Sequence, residues 1–121
     1  MSKILVGVPY VEGEDVNGDG SLKKYVGKGK PIVMLVYGSF CPHCTRVMPT
    51  FEQLAKSLPD VQCVAVQSDG GPSDKQAYQM ISQIAPMQGV PSFLKFSPDG
   101  RYMGMHSGGR DMASLRQFAM S

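Results

Sequence analysis

The sequence predicts an α/β fold in which a central mixed β-sheet is flanked by helices on both faces. Two continuous apolar runs, Ile32–Tyr37 and Val61–Val66, are separated by a segment with helical spacing, and strands joined through a helix pair in parallel. Near the C-terminus, the turn Pro98-Asp99-Gly100 lies between two strand-like segments, which predicts an antiparallel hairpin. Residues 1–121 have the length of a single domain.

The N-terminal quarter is predicted to contain one strand and one short helix. The apolar run Ile4–Val8 has the length of a strand, and the polar, glycine-rich segment Glu12–Gly20 is typical of a loop. Ser21 is a candidate N-cap for a short helix that ends at Gly27. The apolar face of that helix consists of Leu22, Tyr25 and Val26.

Three further helices complete the pattern. The first is predicted over Cys41–Ser57, with a kink at Pro49 because proline lacks the N–H that the helix needs. Ser73 and Gln76 form a candidate capping box for the second helix, and Asp111 is the candidate N-cap of the last. The strands of the C-terminal hairpin are predicted at Pro91–Phe96 and Arg101–His106.

The composition argues against several classes of function. Twelve basic and ten acidic residues give a net charge of +2, too small a surplus for a protein whose main partner is nucleic acid. No stretch approaches the ~20 apolar residues that span a membrane, and Ile4–Val8 is shorter than the core of a signal peptide. We therefore expect no nucleic-acid or membrane partner and a cytoplasmic location.

The three cysteines divide into a pair and a single residue. Cys41 and Cys44 form a Cys-x-x-Cys pair, whereas Cys63 lies in a predicted strand and is expected to be a small buried apolar residue. In a reducing compartment such a pair is more often catalytic or metal-binding than structural. A zinc site needs further ligands, and only Cys63, His43 and His106 are available. We expect no metal and no organic cofactor, with a zinc-binding domain as an alternative.

The tetrapeptide Cys41-Pro42-His43-Cys44 follows a predicted strand and begins a predicted helix. The first cysteine then faces the free N–H groups and the positive dipole end of the helix, and this environment favours a thiolate. Cys41 is therefore predicted to attack a substrate, and Cys44 to resolve the mixed disulfide by thiol–disulfide exchange. Pro42 and His43 are predicted to tune the stability of the thiolate.

Several motifs beyond this tetrapeptide, taken in order, resemble the thioredoxin family over nearly the whole chain. Pro49 stands five residues after the second cysteine, and Asp69 ends the third predicted strand. The segment Gly89-Val90-Pro91-Ser92-Phe93 is similar to the family segment that carries a cis-proline beside the redox pair. Gly108, seven residues before Leu115, matches a glycine that flanks the substrate groove. The resemblance implies a thioredoxin fold and a thiol–disulfide oxidoreductase.

The resemblance also implies where substrates bind. Val90 and Pro91 are expected to form the wall and the backbone pairing site for an extended substrate strand, and Phe40 and Gly108 are expected to border it. Partners are then proteins that carry disulfides or thiols, together with an electron donor or acceptor such as a reductase or the glutathione system. A thioredoxin-fold module that is redox-inert or only binds a partner is the alternative.

The sequence departs from the family pattern at two places. Thioredoxins bury an aspartate six residues before the first cysteine, opposite a lysine in the third strand, but this chain has Leu35 and Ala65 there. Phe40 stands where the family has tryptophan, and Pro42-His43 replaces Gly-Pro. Pro-His resembles the periplasmic disulfide-forming oxidases. These departures imply a less efficient general reductant than thioredoxin.

Overall fold

Four strands and three α-helices form the fold of residues 4–121, the part of the chain that the computed structural model describes. In chain order they are β1 (Ile32–Tyr37), α1 (Pro42–Ser57), β2 (Gln62–Gln67), α2 (Pro72–Ser82), β3 (Ser92–Phe96), β4 (Tyr102–Met105) and α3 (Met112–Met120). Two single turns of 3-10 helix, Gly13–Asp15 and Lys24–Val26, precede β1. No helix in this part of the chain is both long and apolar enough to cross a membrane.

The strands form one mixed sheet in the order β2-β1-β3-β4. β1 and β2 are parallel, and in their register Leu35 lies opposite Ala65. β1 is antiparallel to β3, and β3 is antiparallel to β4. The predicted parallel pair and the predicted C-terminal hairpin are both confirmed.

All side chains of β1 are buried, and they alternate between two hydrophobic cores because successive residues of a strand point to opposite faces of the sheet. One core contains Val33, Leu35 and Tyr37 with Phe51 of α1 and Leu115 of α3. The other contains Ile32, Met34 and Val36 with Ala77 and Ile81 of α2. The predicted central sheet with helices on both faces is therefore confirmed.

The predicted strand at Ile4–Val8 is wrong. Near it, the backbone of one residue of β2, Ala65, donates to the carbonyl of Pro9 at 3.0 Å and accepts from the N–H of Val11 at 2.8 Å. Gly7 has a φ of +75°, which breaks the extended course of the chain. Pro9 has no N–H with which to continue the ladder. Among the described residues, the N-terminal segment therefore pairs with the outer edge of β2 at one bridge, between Tyr10 and Ala65.

The predicted helix capped by Ser21 is also wrong, since only the 3-10 turn Lys24–Val26 forms there. The reason lies in the backbone hydrogen bonds of the preceding residues. The N–H of Leu22 donates to the carbonyl of Gly100 at 2.8 Å, so this residue joins the β3–β4 turn rather than a helix.

The capping box predicted from Ser73 and Gln76 does not form. The N-cap of α2 is Gly71, and its N–H donates to the carboxylate of Asp74 at 2.9 Å. The hydroxyl of Ser73 instead accepts a hydrogen bond from the backbone N–H of Gly13 at 3.0 Å. The serine therefore ties the N-terminal loop to α2.

Candidate active site

Cys41 and Cys44 lie at the start of α1, a few residues after β1 ends. Cys41 is the N-cap, and its Sγ accepts a hydrogen bond from the backbone N–H of Cys44 at 3.2 Å. Pro42 is the first helical residue, where a missing N–H costs little because that N–H has no partner within the helix. The predicted helix start is confirmed, and it aims the free N–H groups of the first turn at the Cys41 sulfur.

The two thiols differ in their access to solvent. Cys41 is 7% exposed, whereas Cys44 is completely buried. The Cys41 thiol lies 3.6 Å from the carbonyl oxygen of Val90, to which it donates. All three cysteines of the chain are free thiols. A reacting molecule therefore meets Cys41 first, with Cys44 beneath it.

The surroundings push the pKa values of the two thiols apart. Burial raises the pKa of Cys41, but it is outweighed by hydrogen bonds from the Cys44 thiol and from the backbone N–H groups of Cys44 and His43, and by the charge of Arg110. The net effect is a pKa below the ordinary value. Burial raises the pKa of Cys44 to about 12, and the hydrogen bond with Cys41 acts in the same direction. Cys41 is therefore the sulfur that ionises first.

The loop before β3 forms one wall of the site. The Val90–Pro91 peptide bond is cis, and the carbonyl of Val90 faces the Cys41 thiol. Pro91 is buried, and Val90 is half-buried. The structure thus brings together two distant segments, which are the redox pair and the loop that sequence reasoning assigned to substrate binding.

Phe40, immediately before Cys41, is 71% exposed. The loop that carries it is fixed by Asp69, whose carboxylate accepts hydrogen bonds from the N–H of Ser39 at 3.0 Å and from the Ser39 hydroxyl at 2.5 Å. The hydrogen bond from that hydroxyl is the main cause that lowers the pKa of Asp69. An exposed aromatic ring on a fixed loop beside the nucleophile is well placed to contact a substrate.

Gly108 lies in the loop between β4 and α3. It borders a hollow of about 320 Å³ that is lined by His106 and Phe118, among other residues, and by neither Cys41 nor Cys44. The Nε2–H of His106 donates to the backbone carbonyl oxygen of Gly109, 2.7 Å away. The role of Gly108 at the border of the substrate groove stays a prediction.

The side chain of His43 is exposed and lines a second hollow of about 280 Å³. The other lining residues are Arg46, Val47 and Arg110. Sequence reasoning missed Arg110, because a lone arginine after Gly108-Gly109 forms no local pattern. Only the fold brings it to the start of α1, where its charge acts on both thiols.

Leu35 stands at the position where the thioredoxin resemblance places a buried aspartate. It is completely buried, and it belongs to the same hydrophobic core as Cys44. Its partner across the sheet, Ala65, is also completely buried. This pair therefore offers no ionisable group to take a proton from Cys44.

The third cysteine, Cys63, lies in β2 and is 3% exposed. Burial raises the pKa of its thiol to about 12, so it is an unreactive apolar residue at neutral pH. Among residues 4–121, no group of three or more His, Cys, Asp and Glu side chains is arranged to hold a metal ion.

Comparisons with known proteins agree with this geometry. The family model described as thioredoxin matches residues 16–121. A homolog of thioredoxin domain-containing protein 5 from Drosophila melanogaster is 29% identical over 100 residues, which cover 83% of this chain and 23% of that protein. A protein disulfide-isomerase from Schizosaccharomyces pombe is 29% identical over 82 residues, covering 68% of this chain and 22% of the relative. The chain thus spans less than a quarter of each of these relatives.

Solved structures show the same fold. Fasciola hepatica thioredoxin superposes with a TM-score of 0.60 at 26% sequence identity. The aligned region covers 76% of this chain and 80% of the Fasciola chain. The zinc-bound form of human ERp44 reaches a TM-score of 0.69 at 15% identity, over 93% of this chain and 29% of that one. With a family model that matches most of its length and a redox pair at the expected helix start, the chain belongs to the thioredoxin family.

Proposed function

We propose that this domain is a thiol–disulfide oxidoreductase that exchanges the Cys41–Cys44 dithiol or disulfide with cysteines of protein substrates. The observation that carries the proposal is the hydrogen bond from the N–H of Cys44 to the Cys41 sulfur, which stabilises a thiolate at the more accessible of two neighbouring cysteines. The protein disulfide-isomerase among the relatives supports the same class of chemistry.

In the first step, the Cys41 thiolate attacks one sulfur of a substrate disulfide. A bond forms between Cys41 and that sulfur, and the substrate S–S bond breaks. The other substrate sulfur leaves with the electron pair as a thiolate and takes a proton from solvent. The helix N-terminus and Arg110 stabilise the starting thiolate.

In the second step, the Cys44 thiol releases its proton to solvent, and the resulting thiolate attacks the Cys41 sulfur. The Cys41–Cys44 disulfide forms, and the mixed disulfide breaks to release the substrate sulfur as a thiolate, which is then protonated. The substrate has gained two electrons and the cysteine pair has lost two. The reverse sequence oxidises a substrate dithiol.

The surrounding residues have supporting roles in this proposal. Pro42 fixes the first turn of α1, and His43 supplies a backbone N–H to the thiolate and an exposed imidazole beside it. Phe40 and the Val90–Pro91 loop hold an extended substrate segment next to Cys41. Gly108 is proposed to border the substrate groove. The reaction needs no metal or organic cofactor, since the electrons are stored in the sulfur pair.

One observation favours a second candidate, a module that binds a partner as a lasting mixed disulfide. Cys44 has a pKa raised to about 12 by burial, and Leu35, which shares its hydrophobic core, offers no carboxylate. Slow ionisation of Cys44 would prolong the mixed disulfide and favour capture of the partner over turnover.

Reduction of insulin by catalytic amounts of the protein, with dithiothreitol as the electron source, separates the two candidates. We expect turnover by the wild type, none by Cys41→Ser, and unchanged turnover by the control Cys63→Ser. Reaction of Cys41 with one equivalent of substrate, without further cycles, would favour the partner-binding module instead.

The proposal also covers partners and location. An electron donor or acceptor, such as a reductase or the glutathione system, is needed to reset the pair after each cycle. A cytoplasmic location is proposed because an odd number of cysteines does not form the disulfide framework typical of small secreted domains. Cell fractionation with an antibody against the protein tests that location.

A further inference from the structure

Two hollows lie beside neighbours of Cys41, one next to His43 and the other next to Val90, whose carbonyl accepts from the Cys41 thiol, and one residue belongs to both. The hollow beside α1 is lined by His43, Arg46, Val47 and Arg110. The hollow beside the cis-proline loop, about 340 Å³, is lined by Val90, Pro91 and Arg110, among other residues. Arg110 therefore lies between the first turns of α1 and the loop to which an extended substrate is proposed to bind.

The side chains that line these two hollows include two guanidinium groups and no carboxylate. Both Arg46 and Arg110 are exposed. In the described part of the chain neither has an ion-pair partner. Asp111 follows Arg110 in sequence, but its carboxylate caps α3. It accepts hydrogen bonds from the N–H and the hydroxyl of Ser114.

Two exposed positive charges without ion-pair partners, close to a nucleophile, can select substrates by their charge. Each guanidinium can pair with a carboxylate of a bound peptide, and such pairs at an interface rim act mainly on the rate of encounter. The same charges disfavour a basic peptide. The effect is expected to weaken as salt is added, because exposed charges are screened.

We propose that Arg46 and Arg110 form an anion subsite that selects substrates with acidic residues next to the reactive disulfide. The inference rests on the proposed oxidoreductase function, and it adds a substrate class to it. The subsite recognises a carboxylate side chain of an extended peptide that lies against the Val90–Pro91 loop.

The test uses two disulfide-linked peptides that differ only in the residues flanking cysteine, glutamate in one and glutamine in the other. The rate of mixed-disulfide formation with the reduced protein is measured for each peptide at low salt. We expect the wild type to react about fivefold faster with the glutamate peptide, the size expected of one or two exposed ion pairs. Both rates are proportional to the fraction of Cys41 that is ionised, so their ratio does not depend on the pKa of Cys41.

The variant Arg46→Gln/Arg110→Gln should lose this preference and react with both peptides at similar rates. Arg116→Gln is the matched control, since Arg116 is an exposed arginine of α3 that lines neither hollow. It should keep the preference of the wild type. Glutathione disulfide, which carries carboxylates without an extended strand, is the third substrate and should show a smaller dependence on the two arginines.

Alkylation of Cys41 provides a readout that needs no disulfide exchange. The ratio of the rates with anionic iodoacetate and neutral iodoacetamide should fall in the double variant and stay unchanged in Arg116→Gln. If neither peptide reacts but this ratio falls, the oxidoreductase proposal fails and the anion subsite stands. Equal rates for both peptides in the wild type, or a preference that survives in the double variant, would overturn the subsite.

Discussion

Leu35 in β1 and Ala65 in β2 lie directly opposite each other in the parallel register, and both are completely buried. Leu35 shares its hydrophobic core with Cys44, whose pKa burial raises to about 12. The site therefore has a stabilised attacking thiolate but no buried carboxylate at this position to accept the proton of the resolving thiol. We expect the attack of Cys44 on the mixed disulfide to limit the rate.

Leu35→Asp should accelerate that step by placing a base beneath Cys44. It should also destabilise the reduced protein by about 3 kcal/mol or more, because a large apolar side chain is replaced by a buried polar group. Stopped-flow release of a fluorescent peptide from the mixed disulfide measures the rate, and urea denaturation measures the free energy of unfolding.

Leu35→Asn is the control for Leu35→Asp, because it has a similar size and polarity but no basic carboxylate. It should be destabilised without any gain in rate. If the aspartate variant is destabilised and releases the peptide no faster than the wild type, proton removal from Cys44 is not the slow step.

Alkylation of the reduced protein by iodoacetamide should occur first at Cys41. Its pKa lies below the ordinary value, whereas burial raises the pKa values of Cys44 and Cys63 to about 12. Mass spectrometry of the digested protein should show carbamidomethyl groups on Cys41 alone at neutral pH, with a rate profile whose midpoint lies below the ~8.5 of a free cysteine. Similar rates at all three cysteines would contradict this assignment, and Cys41→Ser should lose the fast reaction entirely.

Cys63 should make the fold sensitive to alkaline pH. Its pKa in the folded state, about 12, lies above the ordinary value of 9.0, so the folded protein retains a proton that the unfolded chain releases. This contribution to stability is complete below about pH 9 and is lost as the pH rises towards about 12, with a slope of up to about 1.4 kcal/mol per pH unit.

Urea denaturation of the wild type and of Cys63→Ala across this range of pH tests the prediction. The variant should lose less stability between about pH 8 and about pH 10.5, although the cavity left by the sulfur lowers its stability at neutral pH by about 1 kcal/mol. Parallel curves for the two proteins would show that Cys63 does not titrate as the buried thiol described above.

The Pro42-His43 dipeptide should make the pair more oxidising than a Gly-Pro version of the same domain. Whatever stabilises the Cys41 thiolate stabilises the reduced form, and His43 contributes a backbone N–H that proline lacks. Equilibration with glutathione should give the double mutant Pro42→Gly/His43→Pro a potential lower by about 30 mV, which corresponds to about 1.4 kcal/mol for two electrons.

His43→Ala separates the two possible contributions of this residue, because it removes the imidazole and keeps the N–H. Its potential should lie between those of the wild type and the double mutant. A double mutant that is as oxidising as the wild type, or more so, would leave the dipeptide without the role proposed for it.

The parts of the fold that depend on local sequence could be predicted before the structure. β1 and β2 are buried on both faces, so each is a continuous apolar run. The N-caps Cys41 and Asp111 each accept a hydrogen bond from a residue three positions later, a spacing that the sequence shows directly. The absence of a strand at Ile4–Val8 could not be predicted in this way. Pairing there depends on the φ of Gly7 and on which part of the β2 edge is free.

The candidate site was predictable in its chemistry but not in its surroundings. The Cys-x-x-Cys pair and the Val90–Pro91 loop are short motifs, and each is recognisable where it stands. Arg110 is distant from both in sequence, and only the packing of α3 against α1 brings it to the thiols. The exposure of Phe40 and the hollow that Gly108 shares with His106 and Phe118 likewise follow from tertiary structure.

The isolated β-bridge between Tyr10 of the N-terminal segment and Ala65 of β2 affects how the domain behaves at high concentration. The outer edge of a sheet is a template on which another chain can add a strand. At the middle of β2 that edge is occupied, because Ala65 already bonds to Pro9 and Val11. At the opposite edge, β4 is short, contains Gly104 at a φ of +156°, and pairs with β3 through an irregular register. Neither edge offers a regular ladder, so the domain resists edge-to-edge aggregation while its active site stays open to extended substrates.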